Sequence, residues 1–126
     1  MAFALSEKSL QRLTGVHPDL QAVVKRAIEI TPVDFLVVEG LRTKERQAYL
    51  LDAGKSRTMN SYHLTGHAVD IAPIVDGKVS WAWKHYYPLA DAMFDAAKEL
   101  GIKVEWGGRW KTFPDAPHWQ IERSQK

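Results

Sequence analysis

The sequence predicts an α+β fold in which helices pack on a small, mostly antiparallel sheet. Apolar residues recur at helical spacing in Pro18–Ile30 and again from Pro88 to Leu100. Around them lie short runs with strand character: Phe35–Glu39, Gly66–Ile74, Ile102–Trp106 and His118–Ile121. Asp76-Gly77, just before Lys78-Val79-Ser80, adds a tight hairpin signal and so an antiparallel pairing.

Taken in order, Ser6 is placed to cap a first short helix, with Leu10, Leu13 and Val16 as its apolar side, until His17-Pro18 ends it. Pro18 suits the first turn of a second helix, in which Leu20, Val23, Val24, Ala27 and Ile28 share a core face. Thr31-Pro32 breaks that pattern, and Phe35-Leu36-Val37-Val38-Glu39 reads as a buried strand. Thr43 opens a third helix that passes Gln47, Tyr49, Leu50 and Leu51 and stops at Gly54. Lys55 to Tyr62 is polar and aperiodic, a loop, and the strand that follows carries Asp70. Pro88 is expected to start a fourth helix, with Leu89, Ala92, Met93, Ala96, Ala97 and Leu100 on one face and Gly101 as its end. Gly107 to Pro114 reads as a loop before the last strand. No repeat, linker or low-complexity tract interrupts residues 1–126, which are expected to form a single domain.

Bulk properties narrow the function. With 45% hydrophobic residues the chain is globular rather than disordered. Its formal charge is +2, and the basic residues are spread; even the densest group, Lys44, Arg46, Lys55 and Arg57, is diluted by Glu45 and Asp52. A nucleic-acid protein is expected to concentrate such charge, so that class is disfavoured. No apolar run is long enough for a membrane span, and Met1-Ala2-Phe3-Ala4-Leu5 lacks the basic and apolar regions of a signal peptide. Without cysteine there are no disulfides or thiolate ligands, and any metal must be held by histidine and carboxylate.

Two distant clusters offer such ligands. Ser61-Tyr62-His63-Leu64-Thr65-Gly66-His67-Ala68-Val69-Asp70 supplies His63 and Asp70, and Asp115-Ala116-Pro117-His118-Trp119 supplies His118. Two imidazoles and a carboxylate suit zinc, which in catalytic sites takes three protein ligands and keeps a position for water. Asp70 stands among Ala68, Val69, Ile71 and Ala72, where an unpaired carboxylate is costly, so it calls for a cation, either a metal or Arg42. A helical HExxH reading of His63 and His67 fails because Gly66 intervenes and no Glu follows His63. His67 is therefore expected to support the site or the fold, with direct ligation as the lesser option. Asp115, between Pro114 and Pro117, suits a turn as well as it suits acid–base chemistry. The Arg42 fork suits a carboxylate or an oxyanion, but a surface ion pair with Glu39 or Glu45 competes and from residue type alone is the stronger reading. Trp106 and Trp119 are expected in the core and Trp110 along a cleft.

The SxHxxGxAxD pattern of Ser61–Asp70, with DxxH at Asp115–His118, resembles the signature of the LAS-type (VanY-like) zinc peptidases. These include D-alanyl-D-alanine carboxypeptidases and bacteriophage L-alanyl-D-glutamate endopeptidases, which cut the stem peptides of bacterial peptidoglycan. The similarity extends back to Glu39-Gly40-Leu41-Arg42-Thr43, like the family's GxR segment, and forward through Glu105-Trp106-Gly107-Gly108, and so runs from about Val37 to Ile121. The resemblance implies that His63, Asp70 and His118 hold zinc and that Asp115 is the catalytic carboxylate. It implies Arg42 as the partner of a substrate carboxylate or of the oxyanion, reversing the preference above, and Ser61 as a loop-fixing or substrate-contacting hydroxyl.

Aspartate at the position of Asp115 is more like the endopeptidases, glutamate more typical of the carboxypeptidases. The expected activity is therefore hydrolysis of the L-alanyl-D-glutamate bond, with a D-alanyl-D-alanine carboxypeptidase as the alternative and a non-catalytic wall-peptide-binding domain behind it. Trp81 and Trp83, near His85, Tyr86 and Tyr87, are expected to pack the hairpin onto the last helix rather than to face glycan. The short chain without a signal peptide looks like a phage endolysin, made in the host cytoplasm and released through a holin-type pore. The expected partner is the stem peptide, met by a monomer that neither binds nucleic acid nor inserts into a membrane.

Overall fold

The computed structural model describes residues 3–55 and 61–121. The chain is α+β, with four helices and a small sheet among those residues: α1 Glu7–Arg12, α2 Pro18–Ile30, β1 Phe35–Glu39, α3 Lys44–Asp52, β2 Ala68–Val75, β3 Lys78–Val79, α4 Trp83–Leu100, β4 Glu105–Trp106 and β5 His118–Gln120. The expected loop from Lys55 to Tyr62 falls largely on residues 56–60, outside the described residues.

The main strand order is β1-β2-β5-β4, and every pairing is antiparallel, including the short β2–β3 hairpin. Leu20, Val23, Val24, Ala27 and Ile28 of α2 and Leu89, Ala90, Met93, Ala96 and Ala97 of α4 join Phe35, Val37, Val69 and Ile71 of the sheet in one core. Trp106 and Trp119, neighbours across β4 and β5, stack with centroids 5.7 Å apart inside it, as expected. The edge strand β1 is covered by α1: Arg12 donates to the Val37 carbonyl at 2.9 Å, and the Val37 N–H donates to Ser9 Oγ at 3.0 Å. Those bonds occupy an edge that would otherwise invite another chain. Among the described residues no helix is long and apolar enough to cross a membrane.

The caps follow the sequence. The Ser6, His17 and Thr43 side chains accept from Ser9 N, Asp19 N and Arg46 N to open the first three helices. Three expectations need correction. The fourth helix begins at Trp83, and Pro88 lies in its second turn. Tertiary packing outweighs the lost N–H, because the earlier start carries Tyr86 inward with Leu89, Ala90 and Met93. The same period puts Trp83 and Tyr87, four residues apart, on the outer side. They and Trp81 therefore stay exposed, Trp81 at 61%, instead of packing the hairpin down. The fourth strand is also shorter than Ile102–Trp106. Ile102 N–H donates to the Ala97 carbonyl and Gly101 N–H to Lys98, a Schellman ending for α4 that uses the donor a strand would need.

Candidate active site

Strand register builds the site. Asp70 of β2 is opposite Glu39 of β1 on one side and His118 of β5 on the other, so three polar side chains form a row across the sheet. A bulge between Val37 and Glu39 brings Glu39 into that row. His63 arrives from outside the sheet, on a 3₁₀ turn over Tyr62–Thr65. Ser61 Oγ accepts from His63 N at 3.2 Å to open the turn, and Gly66, at φ 77°, closes it. A Cβ on Gly66 would run into the Gly15 carbonyl oxygen, so only glycine fits there.

The three candidate ligands converge, with their donor atoms all within 4.8 Å of one another. Asp70 Oδ1 lies 3.3 Å from His63 Nε2 and 3.4 Å from His118 Nδ1. Each imidazole is oriented from its far side. His63 Nδ1–H donates to the Gly40 carbonyl at 2.9 Å, and His118 Nε2–H donates to Gln120 Oε1 at 2.7 Å. The inner nitrogens thus carry lone pairs, aimed at a buried carboxylate oxygen that has no hydrogen-bond partner among the described residues. Three acceptors facing one another need a cation between them, and outward N–H bonds of this kind are how metal-binding histidines are held. The residues present therefore fit zinc.

Burial alone would raise the Asp70 carboxyl, but its interactions with His118 and His63 outweigh burial and hold it well below the usual carboxylate range. For His118 burial disfavours the charged ring, yet Asp70 chiefly, with Gln120 and Asp115, raises its pKa above the ordinary histidine value.

A cleft of about 770 Å³ opens over this trio, lined among others by Arg42, Ser61, Trp110 and Asp115. Asp115 sits at its rim: Asp115 N–H donates to the Gly107 carbonyl at 2.9 Å, and the Asp115 carbonyl accepts from His118 N at 3.2 Å. Loss of water on its protein side, then repulsion by Asp70, raises the Asp115 carboxyl, against the pull of His118, His63 and Arg42. That direction favours a group that both accepts and returns a proton. The Trp110 ring lies 5.1 Å from that of His118, with its indole N–H on Glu105 Oε2.

Arg42 forms the ion pair with Glu39, but as a largely buried group rather than a surface one. Its Nη2 pairs with Glu39 Oε1 at 2.6 Å, yet it faces the cleft 3.8 Å from Asp70 Oδ2. His67 is outside the trio; its Nδ1 meets Thr65 Oγ1 at 2.8 Å and its ring lies 5.3 Å from that of His17. Sequence reasoning missed Gln120 and Gln47, the latter accepting from Arg42 Nη1 at 2.7 Å. Strand alternation places residue 120 on the face of His118 and was the available signal for Gln120; for Gln47 there was none.

A family model described as phage L-alanyl-D-glutamate peptidase matches residues 1–125. The chain is 37% identical over 127 residues to the L-alanyl-D-glutamate peptidase of Escherichia phage T5, across 98% of this chain and 92% of that protein. It is 30% identical over 138 residues to the peptidoglycan L-alanyl-D-glutamate endopeptidase CwlK of Bacillus subtilis, across 92% and 81% of the two. The crystal structure of the Serratia marcescens L-Ala D-Glu endopeptidase ChiX is similar at a TM-score of 0.88 and 49% identity, covering 92% of this chain and 87% of that one.

Proposed function

The chain belongs to the phage L-alanyl-D-glutamate peptidase family, and we propose that it is a zinc endopeptidase that hydrolyses the L-alanyl-D-glutamate bond of the peptidoglycan stem peptide. One observation carries the reading: the convergent lone pairs of His63, Asp70 and His118 share a cleft with an acid–base carboxylate and a guanidinium. The names of the relatives support the bond, and the donor set supports the metal.

Zinc held by His63, Asp70 and His118 would make water acidic enough to attack near neutral pH and would polarise the scissile carbonyl. Asp115 takes the proton that the attacking water gives up and delivers it to the departing amine. That amine becomes the new N-terminus of D-glutamate. Arg42 holds either the free α-carboxylate of D-glutamate or the developing oxyanion. Ser61 fixes the turn that carries His63, and Trp110 forms the cleft wall beside His118. We extend the proposal to delivery: a single-domain monomer reaching the wall through a holin-type pore, a route the phage source of a relative supports.

Mass analysis of fragments released from purified peptidoglycan tests the reaction. New N-terminal D-glutamate is expected. Release of free D-alanine without it would promote the carboxypeptidase alternative, and an intact polymer would leave a wall-peptide-binding domain.

A further inference from the structure

The Arg42 guanidinium is gripped from two elements. Glu39, at the end of β1, accepts from Nη2 at 2.6 Å, and Gln47, fully buried in α3, accepts from Nη1 at 2.7 Å. The Arg42 side chain is only 8% exposed, and its Nε is buried without a partner among the described residues. We propose that Glu39 and Gln47 are positioning residues, which fix the Arg42 fork in the cleft before substrate arrives; this rests on the peptidase reading.

Three features carry the inference. A guanidinium has five N–H donors, and these two bonds fix its plane while leaving donors for a substrate oxygen. The segment bearing Arg42 also serves the trio, because Gly40 O accepts from His63 Nδ1 and Arg42 N–H donates to the His63 carbonyl at 2.9 Å. Finally, a guanidinium 3.8 Å from Asp70 Oδ2 stands close to a cation site and is repelled by any metal there. Glu39, whose other oxygen lies 3.7 Å from Arg46 Nε, offsets that repulsion and keeps the fork in place. A fork already oriented gives up little rotamer freedom when substrate binds, which is the benefit of preorganisation.

A double-mutant cycle on the zinc-loaded full chain tests this, with kcat and KM measured on stem peptide. Glu39→Ala should lower kcat/KM about 10–100-fold through misplacement of the fork, divided between kcat and KM in the same way as the loss caused by Arg42→Lys. Glu39→Gln keeps an acceptor for Nη2 and should recover most of the loss. Gln47→Met, close in shape but without the acceptor, should behave like Glu39→Ala. In an Arg42→Ala background, Glu39→Ala should cost no more than about twofold further, because its effect runs through Arg42. NMR of the Arg42 guanidinium gives a readout independent of turnover. Rotation about Nε–Cζ should be slow in the wild type and on the order of tenfold faster once either charge-assisted bond is removed. Full losses in the Arg42→Ala background, or unchanged rotation in both variants, overturn the proposal. A wild type that leaves the stem peptide uncut overturns the peptidase reading instead, and the rotation measurement still decides the positioning.

Discussion

Asp70 of β2 stands directly opposite His118 of β5, with its Oδ1 3.4 Å from His118 Nδ1. Backbone pairing therefore sets the spacing of two candidate ligands that lie nearly fifty residues apart in the chain. Side-chain rotamers only complete it.

From that pairing one zinc per chain is expected, and His118→Ala should lose most of it by elemental analysis. Binding should also strengthen as pH rises. The pKa of His118 is raised, so at low pH a proton occupies the nitrogen that the metal needs. Unchanged zinc in His118→Ala would sink the ligand assignment.

Asp115 is separable from the metal. Asp115→Asn keeps size and hydrogen bonding but cannot take a proton, so kcat should fall about 10²–10⁴-fold while zinc is retained. The carboxylate must be ionised to act, and its pKa is raised by lost water and by Asp70. Wild-type turnover should thus decline as pH drops through that raised value, and the residual activity of the variant should lack this acid limb. Loss of zinc in Asp115→Asn would reassign Asp115 as a ligand or scaffold group.

The fold was legible where local chemistry decided it. Ser6, Pro18, Thr43 and Gly101 marked helix ends that the structure keeps, and His63, Asp70 and His118 were identifiable as residue types that converge. What stayed hidden depends on register and packing. Nothing local shows that Glu39, Asp70 and His118 share a row, since pairing across β1, β2 and β5 is a property of the assembled sheet. For the same reason Glu39 was visible only as a rival partner for Arg42, not as its holder. The start of α4 was misplaced because Pro88 resembles a first-turn proline, whereas burial of Tyr86 draws the helix back to Trp83.

Arg42 separates its two candidate roles kinetically. Arg42→Lys keeps the charge and loses the planar fork on which both Glu39 and Gln47 rely. A rise in KM with little change in kcat would identify it as the holder of the substrate carboxylate, and a fall in kcat as the stabiliser of the oxyanion. A variant equal to wild type in both constants would remove Arg42 from the machinery.

Tyr86 sits buried in α4 with a hydroxyl that has no hydrogen-bond partner among the described residues. Burial first, and then the charges of Asp115 and Asp70, push its pKa from an ordinary value of 10.0 up to about 12. A folded-state pKa above the unfolded one means that stability is fully present below pH 10 and is lost as pH climbs toward 12, because the unfolded chain ionises first. Tyr86→Phe removes both the unpaired hydroxyl and this alkaline sensitivity. At pH 7 the variant should be more stable by about 1 kcal/mol, the lower end of the cost of an unsatisfied buried group. Its advantage should widen between pH 10 and 12. Denaturant titrations at these pH values check both statements, and a variant less stable than wild type at neutral pH would show that the phenol has a partner worth keeping.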